Sequence, residues 1–535
     1  MDIQRTRPAV SGTQGAVASA HPLASQAGLD ILRQGGNAID AIVATAATLN
    51  VVEPYMSGVG GVGHLLLHLA DGETTSLNFS GNTPARATPD QFTPETQDAG
   101  PRACLIPGNV AGWLTALAEH GTRTASDVFA RAIDLAENGF PLHPVNARII
   151  KQVQPRLNAA GREIYGTIEP RMGNILYQAD LARSLRTIAS EGAGTFYQGS
   201  LGETIADYVQ SQDGLLTRED LAGYQPEWQT PVGVQYKHCE IKTVPPNSEG
   251  FQILQTMKLL EAHDLQTLGH NSADYIHVLS EAMKLATADR IQWSGDPKFH
   301  DIPLGRLLSD DYLQQRQSLI NPERASLSEG ERWLGARERV AVAPGKIDGL
   351  TTHLSAVDSQ GNVASITQSL GNAFGSGVIV PGTGIALNNF VFWTEIDPSC
   401  PTPNLIQPGK QWSSPMAPVQ VFRDGKFWFS ISTPGSYGIL QTTVQMVLNI
   451  IEFGMDPQQA IEAPRFRVFE KTRMQIEDRI SSTHRDQLTA RGHVLEPVGD
   501  YSILVGGGQS VMIDPESSAR IAGADPRRDG YALAY

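Results

Sequence analysis

The chain has 535 residues and a formal net charge of −15. This acidic balance argues against nucleic acids and acidic membranes as partners, because both bind basic surfaces. The three cysteines are widely spaced and the sequence has no CxxC or HExxH motif, so no disulfide framework, metal site or cofactor is predicted.

The length alone suggests several domains. No proline- and serine-rich linker and no low-complexity segment divides the sequence, and this continuity favours one large α/β body. The N-terminal residues contain no apolar run long enough for a signal peptide, and no long apolar stretch follows. A cytoplasmic location is therefore expected.

The first predicted elements are two alanine-rich helices. Residues 23–35 show a helical period of apolar and small residues that ends at two glycines. Asn37 then begins a second helix as its N-cap, with Asp40 three residues further on, and the apolar stripe continues to about Val52. Both helices are expected to pack closely on a sheet.

A glycine run at residues 58–63 has the spacing of a GxGxxG phosphate loop. The dinucleotide-binding form of this motif follows a strand and precedes a helix. Here a helix precedes the glycines and a predicted strand, 64–69, follows them. Close backbone packing near a site is therefore favoured over nucleotide binding.

The middle of the chain is predicted to be mostly helical. A strand is predicted at 75–79, and helices are predicted after the turn at 106–113 and at 128–137, 145–153, 181–190, 201–210, 251–260 and 272–291. His270 and His277 are interpreted as capping or half-buried histidines. Residues 329–347 have the composition of a mobile, exposed loop, which suits a segment released by cleavage or an ordinary linker.

Residues 352–368 predict a β-hairpin, because two segments rich in β-branched and small residues flank a short turn. If the turn is a three-residue loop, Asp358 faces Asn362, and counting back places Thr351 opposite Ser369. Facing residues on one side of such a pair lie about 5 Å apart at Cβ. Two hydroxyls then meet at the open end of the hairpin.

The Thr351 hydroxyl becomes a nucleophile only if the chain is cut between Leu350 and Thr351. The freed α-amine, with a pKa of roughly 7.7 to 8, can then act as general base for the hydroxyl of the same residue. Ser369 could orient that hydroxyl. Ordinary β-propensity also explains two threonines at a strand start, and the hairpin alone does not decide between these interpretations.

Beyond the hairpin, a strand is predicted at 382–389 and an aromatic segment follows at 390–393. Residues 426–432 alternate as a strand and lead through the turn 433–436 into a helix at 439–451. Unpaired backbone N–H groups at a helix start can hold a developing oxyanion. An ordinary strand-to-helix turn would have the same local sequence.

Several blocks of sequence together resemble one family. They include VASAHPLAS, PGNVAG and TTHLS, and in full they cover residues 17–25, 35–41, 107–112, 351–377, 382–385, 387–389, 413–414 and 463–466. By these blocks the sequence resembles the gamma-glutamyltransferases, which are N-terminal nucleophile hydrolases, over nearly the whole chain. The resemblance implies a four-layer αββα sandwich fold.

The resemblance also implies self-cleavage before Thr351. A larger fragment, 1–350, and a smaller one, 351–535, would stay together as one structural body, and the cleaved pair could further form a homodimer. Thr351 would be the nucleophile and, through its amine, the base. The expected partner is a small-molecule amide substrate.

Other positions match functional residues of the family. Ser369 matches the hydroxyl residue that supports the nucleophile. The backbone amides of Gly435 and Ser436 match the oxyanion hole, where the family usually has two glycines. Ser413 and Ser414 match a serine pair and are assigned to substrate binding.

The departures from the family concern the acyl pocket. Ser80 stands where gamma-glutamyl enzymes have an arginine for the substrate α-carboxylate. Gly371, with Asn372 adjacent, stands where the family has an asparagine, and the two ligands of the α-amino group correspond to Phe390 and Trp393. A buried charge without its partner costs about 3 to 5 kcal/mol. An altered acyl pocket is therefore predicted.

Three functions remain open from the sequence. The leading hypothesis is an autoprocessed amidohydrolase or acylase for a small amide whose acyl part is less zwitterionic than glutamate, because apolar acyl groups suit Phe390 and Trp393. The second is a true gamma-glutamyltransferase or glutathione hydrolase in which Arg86 or Arg102 replaces the lost arginine. The third is a non-catalytic binding relative.

Overall fold

The structure is a computed structural model that describes residues 6–166, 169–326, 350–400, 402–469 and 471–535. Two antiparallel seven-stranded sheets form its centre. Sheet 1 has the spatial order Val10–Gly12, Arg520–Ala524, Gln509–Ile513, Lys426–Ser432, Val419–Arg423, Cys239–Thr243 and Val232–Tyr236. Sheet 2 has the order Tyr531–Ala534, Ala16–Ser19, Leu350–Val357, Val363–Gly371, Val62–His68, Thr74–Phe79 and Glu227–Gln229.

The sheets pack face to face, and helices cover both outer faces. The strands Ala16–Ser19 and Leu350–Val357 of sheet 2 contact sheet 1. The helices Pro22–Arg33 and Ala38–Val52 lie on sheet 2, whereas Phe251–Leu260, Ala273–Trp293, Ile439–Ile451 and Pro457–Glu462 form the layer on sheet 1. This is the four-layer αββα sandwich that the family resemblance implies.

Each helix layer shares a hydrophobic core with its sheet. Ile42 and Leu65 belong to the core under sheet 2, and Leu254 and Ile431 belong to the core under sheet 1. The space between the sheets is partly polar. Ser365 of sheet 2 and Ser430 of sheet 1 lie there with their hydroxyl oxygens 2.6 Å apart, which joins the sheets by a hydrogen bond.

Shorter elements surround the sandwich. The remaining α-helices are Pro94–Asp98, Asn109–His120, Ala125–Asn138, Pro144–Val153, Ala159–Tyr165, Ala179–Glu191, Gly194–Tyr197, Ser200–Ser211, Arg218–Ala222, Leu265–Leu268, Leu304–Leu307, Asp310–Gln317 and Ser482–Ala490. Small sheets pair Phe140–Pro141 with Ile175–Leu176, Ile379–Val380 with Ile385–Ala386, and Arg473–Ile476 with Phe466–Val468 and Val494–Pro497. Short 3-10 helices are Pro89–Gln91, Pro101–Ala103, Gln154–Arg156, Phe390–Trp393, Ser436–Gly438 and Ile503–Val505. Within the described ranges, no helix has both the length and the apolar character needed to cross a membrane.

The N-terminal helices form where the sequence predicts them. The Asn37 side chain accepts hydrogen bonds from the N–H groups of Ile39 and Asp40, and the Asp40 carboxylate accepts one from the Asn37 N–H. This reciprocal capping box fixes the start of the helix Ala38–Val52. The prediction of Asn37 as N-cap is confirmed.

Two predictions are wrong in detail. The strand expected at 382–389 is reduced to Ile385–Ala386, because Gly382 and Gly384 have φ of +73° and +67°, which turns the chain. His270 is half-buried as predicted, but His277 is fully buried. The loop predicted at 329–347 lies outside the described residues.

Candidate active site

The hairpin forms with the predicted register. Asp358 N–H donates to the Asn362 carbonyl oxygen at 3.1 Å, and the Asp358 carboxylate accepts hydrogen bonds from backbone N–H groups of the turn. Gly361 has a φ of +95°, the left-handed region that the turn requires. Thr351 is paired with Ser369, as counting from the turn predicts.

The two hydroxyls at the open end of the hairpin form a closed set of hydrogen bonds. Thr351 Oγ1 donates to Ser369 Oγ at 3.2 Å, and Ser369 Oγ donates to the Leu350 carbonyl oxygen at 3.1 Å. The Gly371 N–H donates to Ser369 Oγ at 2.9 Å. The Ser369 hydroxyl therefore uses its one donor and both of its acceptor positions in hydrogen bonds to Leu350, Thr351 and Gly371.

That peptide bond lies at an irregularity of the ladder. Leu350 pairs with Gly371 while Thr351 pairs with Ser369, so one strand has an extra residue, Leu370, at this point. Such a bulge re-aims the side chains beside it and is frequent next to active sites. Leu350 is fully buried and Thr351 is 5% exposed.

Two buried ionisable residues hold the start of this strand. Arg528 Nη1 donates to the Thr351 carbonyl oxygen at 3.2 Å, and Thr352 Oγ1 donates to Glu53 Oε2 at 3.4 Å. Burial raises the pKa of Glu53 to about 8, although the nearby Arg528 charge opposes this shift. Burial likewise lowers the pKa of Arg528 to about 10. The hydrogen bonds of Glu53 and Arg528 thus fix the positions of Thr352 and Thr351.

The turn 433–436 borders the same region. Gly435 and Ser436 have φ of +133° and +55°, and among the described residues no acceptor is bonded to either backbone N–H. A Cβ added at Gly435 would lie 3.6 Å from Gly506 Cα, and one added at the next residue, Gly507, would lie 2.5 Å from Arg528 Cδ. Because Arg528 is hydrogen-bonded to Thr351, a series of contacts through Gly506, Gly507 and Arg528 connects the turn to Thr351.

An aromatic wall, made of Phe390, Phe392, Trp393 and Trp412, borders the hairpin end at Gly371. Phe390 stacks on Trp412 with ring centroids 4.2 Å apart, and Trp393 contacts both Phe390 and Phe392. A Cβ added at Gly371 would lie 3.1 Å from Trp393 Cζ3. Gly371 is bonded to Ser369, so the aromatic wall begins next to the hydroxyl pair.

Ser413 and Ser414 follow Trp412 and are fully buried. Ser413 Oγ donates to Glu249 Oε1 at 2.9 Å, and the Ser414 carbonyl oxygen accepts from the Glu249 N–H at 2.7 Å. Glu249 forms an ion pair with Arg290 at 3.0 Å, and the Arg290 guanidinium lies 4.2 Å from the ring centre of Tyr437. The serine pair therefore anchors the chain behind the turn 433–436 through a buried polar network.

The glycine run packs as predicted. A Cβ added at Gly60 would lie 2.3 Å from the Ala386 carbonyl oxygen, and one added at Gly61 would lie 2.6 Å from the Ser369 carbonyl oxygen. A side chain at Gly61 would push the hairpin strand away, and one at Gly60 would displace the strand Ile385–Ala386. The glycines allow the neighbouring backbone to approach Ser369 closely.

One buried group could offer ligands to a metal. Single ligand atoms of His277, Glu281 and His493 lie within 4.8 Å of one another. His277 Nδ1 and His493 Nε2 are 2.8 Å apart, and the Lys284 ammonium donates to Glu281 Oε1 at 2.7 Å. The two histidines are hydrogen-bonded to each other and Glu281 is paired with the Lys284 ammonium, and none of these residues takes part in the hydroxyl site.

Comparison with known proteins decides the family. The gamma-glutamyltranspeptidase family model matches residues 24–535. The chain belongs to this family.

Among its relatives is the glutathione hydrolase proenzyme of Bacillus subtilis (strain 168), which is 36% identical over 544 residues, covering 98% of this chain and 92% of the relative. The acylase ACY 1 proenzyme of Pseudomonas sp. (strain SE83) is 35% identical over 542 residues, covering 98% and 94%. The crystal structure of cephalosporin acylase from Bacillus halodurans matches with a TM-score of 0.91 at 30% identity, covering 100% of this chain and 98% of that chain.

Ser80, which the sequence resemblance matches to an arginine of the gamma-glutamyltransferases, contacts the aromatic wall. Its carbonyl oxygen accepts from Trp412 Nε1 at 2.9 Å, and its hydroxyl is within hydrogen-bonding distance of the Asn247 side chain, at 3.0 Å from Nδ2. The Asn78 side chain also bonds to Asn247. Ser80 therefore belongs to a buried, neutral network of short polar side chains.

Asn372 belongs to a different polar group at the edge of the site. Asn372 Nδ2 donates to Asp98 Oδ1 at 2.7 Å, and Asn389 Nδ2 donates to the Asp98 carbonyl oxygen at 2.8 Å. The Asp98 carboxylate accepts both Nη groups of Arg156, at 2.7 and 2.9 Å. A Cβ added at Gly371 would contact Asn389, which is hydrogen-bonded to Asp98. The partly exposed ion pair of Asp98 and Arg156 therefore lies close to Gly371.

The two arginines considered as replacements for the family's arginine do not fill that role. Arg102 Nη2 is bonded to the Asp213 carboxylate and its Nη1 to the Gln91 carbonyl oxygen. Arg86 is exposed. Asp213 already neutralises Arg102, and Arg86 has its charge in solvent, so neither offers a buried cation to a substrate carboxylate.

Sequence reasoning missed Glu53, Arg528, Trp412, Asp98 and Arg156. Each of them reaches the site from a segment far away along the chain from the hairpin. Arg528 stands in the charged segment 525–529, where a second arginine and two aspartates make it look like an ordinary surface residue. The others have no local pattern that separates them from ordinary surface or core residues.

Proposed function

We propose that this protein is an autoprocessed amidohydrolase or acylase in which Thr351 is the nucleophile. The observation that carries the proposal is the hydrogen-bonded set of Thr351, Ser369 and the Leu350 carbonyl at the start of a central strand. The relatives that are named proenzymes, among them a glutathione hydrolase and an acylase, support it.

Maturation would begin with attack of Thr351 Oγ1 on the carbonyl carbon of Leu350. The C–N bond breaks as the nitrogen takes up the hydroxyl proton, and an ester links Leu350 to the Thr351 side chain. Water then hydrolyses the ester, which leaves a carboxylate on Leu350 and a free α-amine on Thr351. The Ser369 hydroxyl, already donating to the Leu350 carbonyl oxygen, would stabilise the negative charge that develops on that oxygen.

The cleaved fragments 1–350 and 351–535 would remain associated. The strand that carries Thr351 pairs with Ala16–Ser19 of the larger fragment, and its hairpin partner pairs with Val62–His68. Both ladders are independent of the Leu350–Thr351 bond.

Turnover would use the same hydroxyl. The free α-amine of Thr351 removes the hydroxyl proton, and Oγ1 attacks the substrate carbonyl. The C–N bond of the tetrahedral intermediate then breaks as the leaving amine takes this proton from the α-ammonium, and water or an amine releases the acyl group from the resulting acyl-enzyme. The N–H groups of Gly435 and Ser436 would donate to the oxyanion of each tetrahedral intermediate. Ser369 would hold the hydroxyl in position.

The acyl pocket favours an apolar or weakly polar acyl group. The sequence resemblance matches Phe390 and Trp393 of the aromatic wall to the family's polar ligands, and Ser80 is hydrogen-bonded within a neutral network. A zwitterionic glutamyl head there would lose its hydration without gaining the usual charged partners, which is unfavourable. Apolar acyl groups gain about 25 cal/mol for each Å² they bury.

A glutathione hydrolase is the second candidate, and one observation favours it. Asp98 and Arg156 form an ion pair near Gly371 and offer both an anion and a cation at the edge of the site. Together they complement the two charges of an amino acid. A gamma-glutamyl group could bind there if it took a different orientation from that usual in the family.

Intact-mass spectrometry of the purified protein, beside a Thr351→Ala variant, tests the proposal. We expect two fragments in the wild type, the smaller beginning at Thr351, and one chain in the variant. Rates on a simple acyl anilide and on gamma-glutamyl anilide then separate the two candidates, and preference for the gamma-glutamyl compound would establish the second. One uncut, inactive chain in both preparations would contradict both and favour a binding protein.

A further inference from the structure

Ser436 combines two unfavourable features at the turn 433–436. Its φ of +55° lies in the left-handed region, which glycine adopts without strain and a residue with a Cβ rarely adopts. It is also only 2% exposed. Of the described non-glycine residues with positive φ, most are polar residues at the surface, where a turn alone explains the conformation.

The Ser436 hydroxyl has no hydrogen-bond partner among the described residues. The neighbouring hydroxyls do have partners: Thr433 Oγ1 donates to the Pro434 carbonyl oxygen at 2.9 Å and accepts from the Gly507 N–H at 2.7 Å. Thr442 Oγ1 donates to the Gly438 carbonyl oxygen at 2.8 Å. Ser436 is therefore the exception in a turn that otherwise satisfies its hydroxyls, and a buried unpaired hydroxyl needs an explanation.

A substrate oxygen would supply the missing partner. The N–H of Ser436 is open, and contacts through Gly506, Gly507 and Arg528 connect this turn to Thr351. When Thr351 attacks an amide, the atom that gains negative charge next to these N–H groups is the former carbonyl oxygen. Strain and an unpaired polar group both persist at sites where function requires them.

We propose that the Ser436 hydroxyl donates a hydrogen bond to this oxyanion, as a third donor beside the N–H groups of Gly435 and Ser436. The inference rests on the proposed function, and it assigns to the side chain of Ser436 a part in catalysis that backbone donors alone do not need. The donor is filled only in the tetrahedral intermediate, so it lowers the barrier without tightening substrate binding.

Two variants test the assignment. Ser436→Ala keeps the Cβ and removes the hydroxyl, whereas Ser436→Gly removes both the hydroxyl and the strain. Ser518→Gly is the matched control, because Ser518 is a serine with a φ of +58° that is exposed at the surface. The readouts are the extent of cleavage by intact mass, kcat and KM per mole of cleaved enzyme, and the midpoint of thermal unfolding.

We expect Ser436→Ala and Ser436→Gly to lower kcat about 100-fold with little change in KM, as for loss of one oxyanion donor. Ser436→Gly should unfold at a temperature no lower than that of the wild type, since glycine relieves the strained φ. The loss should be equal for substrates with different acyl groups. Ser518→Gly should keep the wild-type kcat.

Three results would overturn the assignment: a wild-type kcat in Ser436→Ala, a loss that varies with the acyl group, and failure of the Ser436 variants to cleave. The second would place the hydroxyl against the acyl chain, and the third would place it in maturation. If the wild type itself is uncut and inactive, the proposed function has failed, which is distinct from failure of the Ser436 assignment.

Discussion

The Ser369 hydroxyl donates a hydrogen bond to the carbonyl oxygen of Leu350 and accepts one from the hydroxyl of Thr351. The serine therefore touches both the attacking atom and the carbonyl under attack in the proposed maturation step. In the cleaved enzyme only the contact with the nucleophile would remain. One residue would thus serve two reactions through two different hydrogen bonds.

Ser369→Ala should slow both reactions. Without the hydroxyl, the Leu350 carbonyl loses its donor and the buried Gly371 N–H loses its acceptor, a loss of about 1–3 kcal/mol. We expect uncut chain to accumulate over hours in intact-mass spectra, and kcat of the cleaved fraction to fall at least 10-fold. Ser365→Ala, on the same strand, is the control and should cleave as the wild type does. Equal cleavage rates in both variants would exclude a role for Ser369 in maturation.

Gly371→Asn, which introduces the family's usual residue, should not restore gamma-glutamyl activity. Gly371 has a φ of +101°, and an added Cβ would lie 2.2 Å from Asn389 Oδ1. The variant should therefore unfold at a lower temperature than the wild type and displace Trp393. Gly361→Asn is the control, since its φ is +95° but no atom lies within 4 Å of an added Cβ. A smaller loss for Gly371→Asn than for Gly361→Asn would contradict this steric account.

Trp393→Ala should alter specificity more than stability of the cleaved pair. The side chain packs on Phe390 and Phe392 and borders Gly371, so its loss opens the pocket beside the hydroxyl pair. We expect kcat/KM for an apolar acyl anilide to fall about 10- to 100-fold, as for loss of part of a buried aromatic contact. Kinetics with a series of acyl chain lengths measure this. Trp428→Ala, on sheet 1, is the control, and an equal loss there would indicate general destabilisation.

Glu53→Gln should change how stability depends on pH. The folded protein raises the pKa of Glu53 from 4.5 to about 8, so the folded state binds this proton more tightly than the unfolded state. The resulting stabilisation is complete below pH 4.5 and is lost as the pH rises to about 8. Relative to Glu53→Gln, the wild type should therefore lose stability between these two pH values. Thermal unfolding from pH 5 to 9 measures this, and a constant difference between the two proteins would show that Glu53 is ionised throughout.

The sequence was sufficient for local features and for the pairing of the hydroxyls. The capping box at Asn37 and the turn between Asp358 and Asn362 are set by neighbouring residues, and a two-residue period then carries the register from that turn to Thr351 and Ser369. Four layers followed from the family resemblance rather than from periodicity.

What the sequence could not predict depends on distant segments meeting. Arg528 reaches Thr351 from 177 residues further along the chain, and no local pattern encodes that contact. The strand expected at 382–389 failed for a different reason. Glycines at positive φ bend that segment, and Leu387 and Asn389 donate their backbone N–H groups to Val378 and Leu370 rather than to a long ladder.

Both sheets draw strands from the two sides of the Leu350–Thr351 bond. In sheet 2, Leu350–Val357 and Val363–Gly371 lie between Ala16–Ser19 and Val62–His68. Sheet 1 likewise combines strands from before and after this bond. For a cut chain, separating the fragments would therefore mean unfolding both of them. Subunit exchange between mature molecules should not occur under native conditions. Unfolding of the cleaved enzyme would instead be irreversible. The uncut precursor folds as a single chain, whereas two separated fragments would have to associate again at a rate that depends on their concentration.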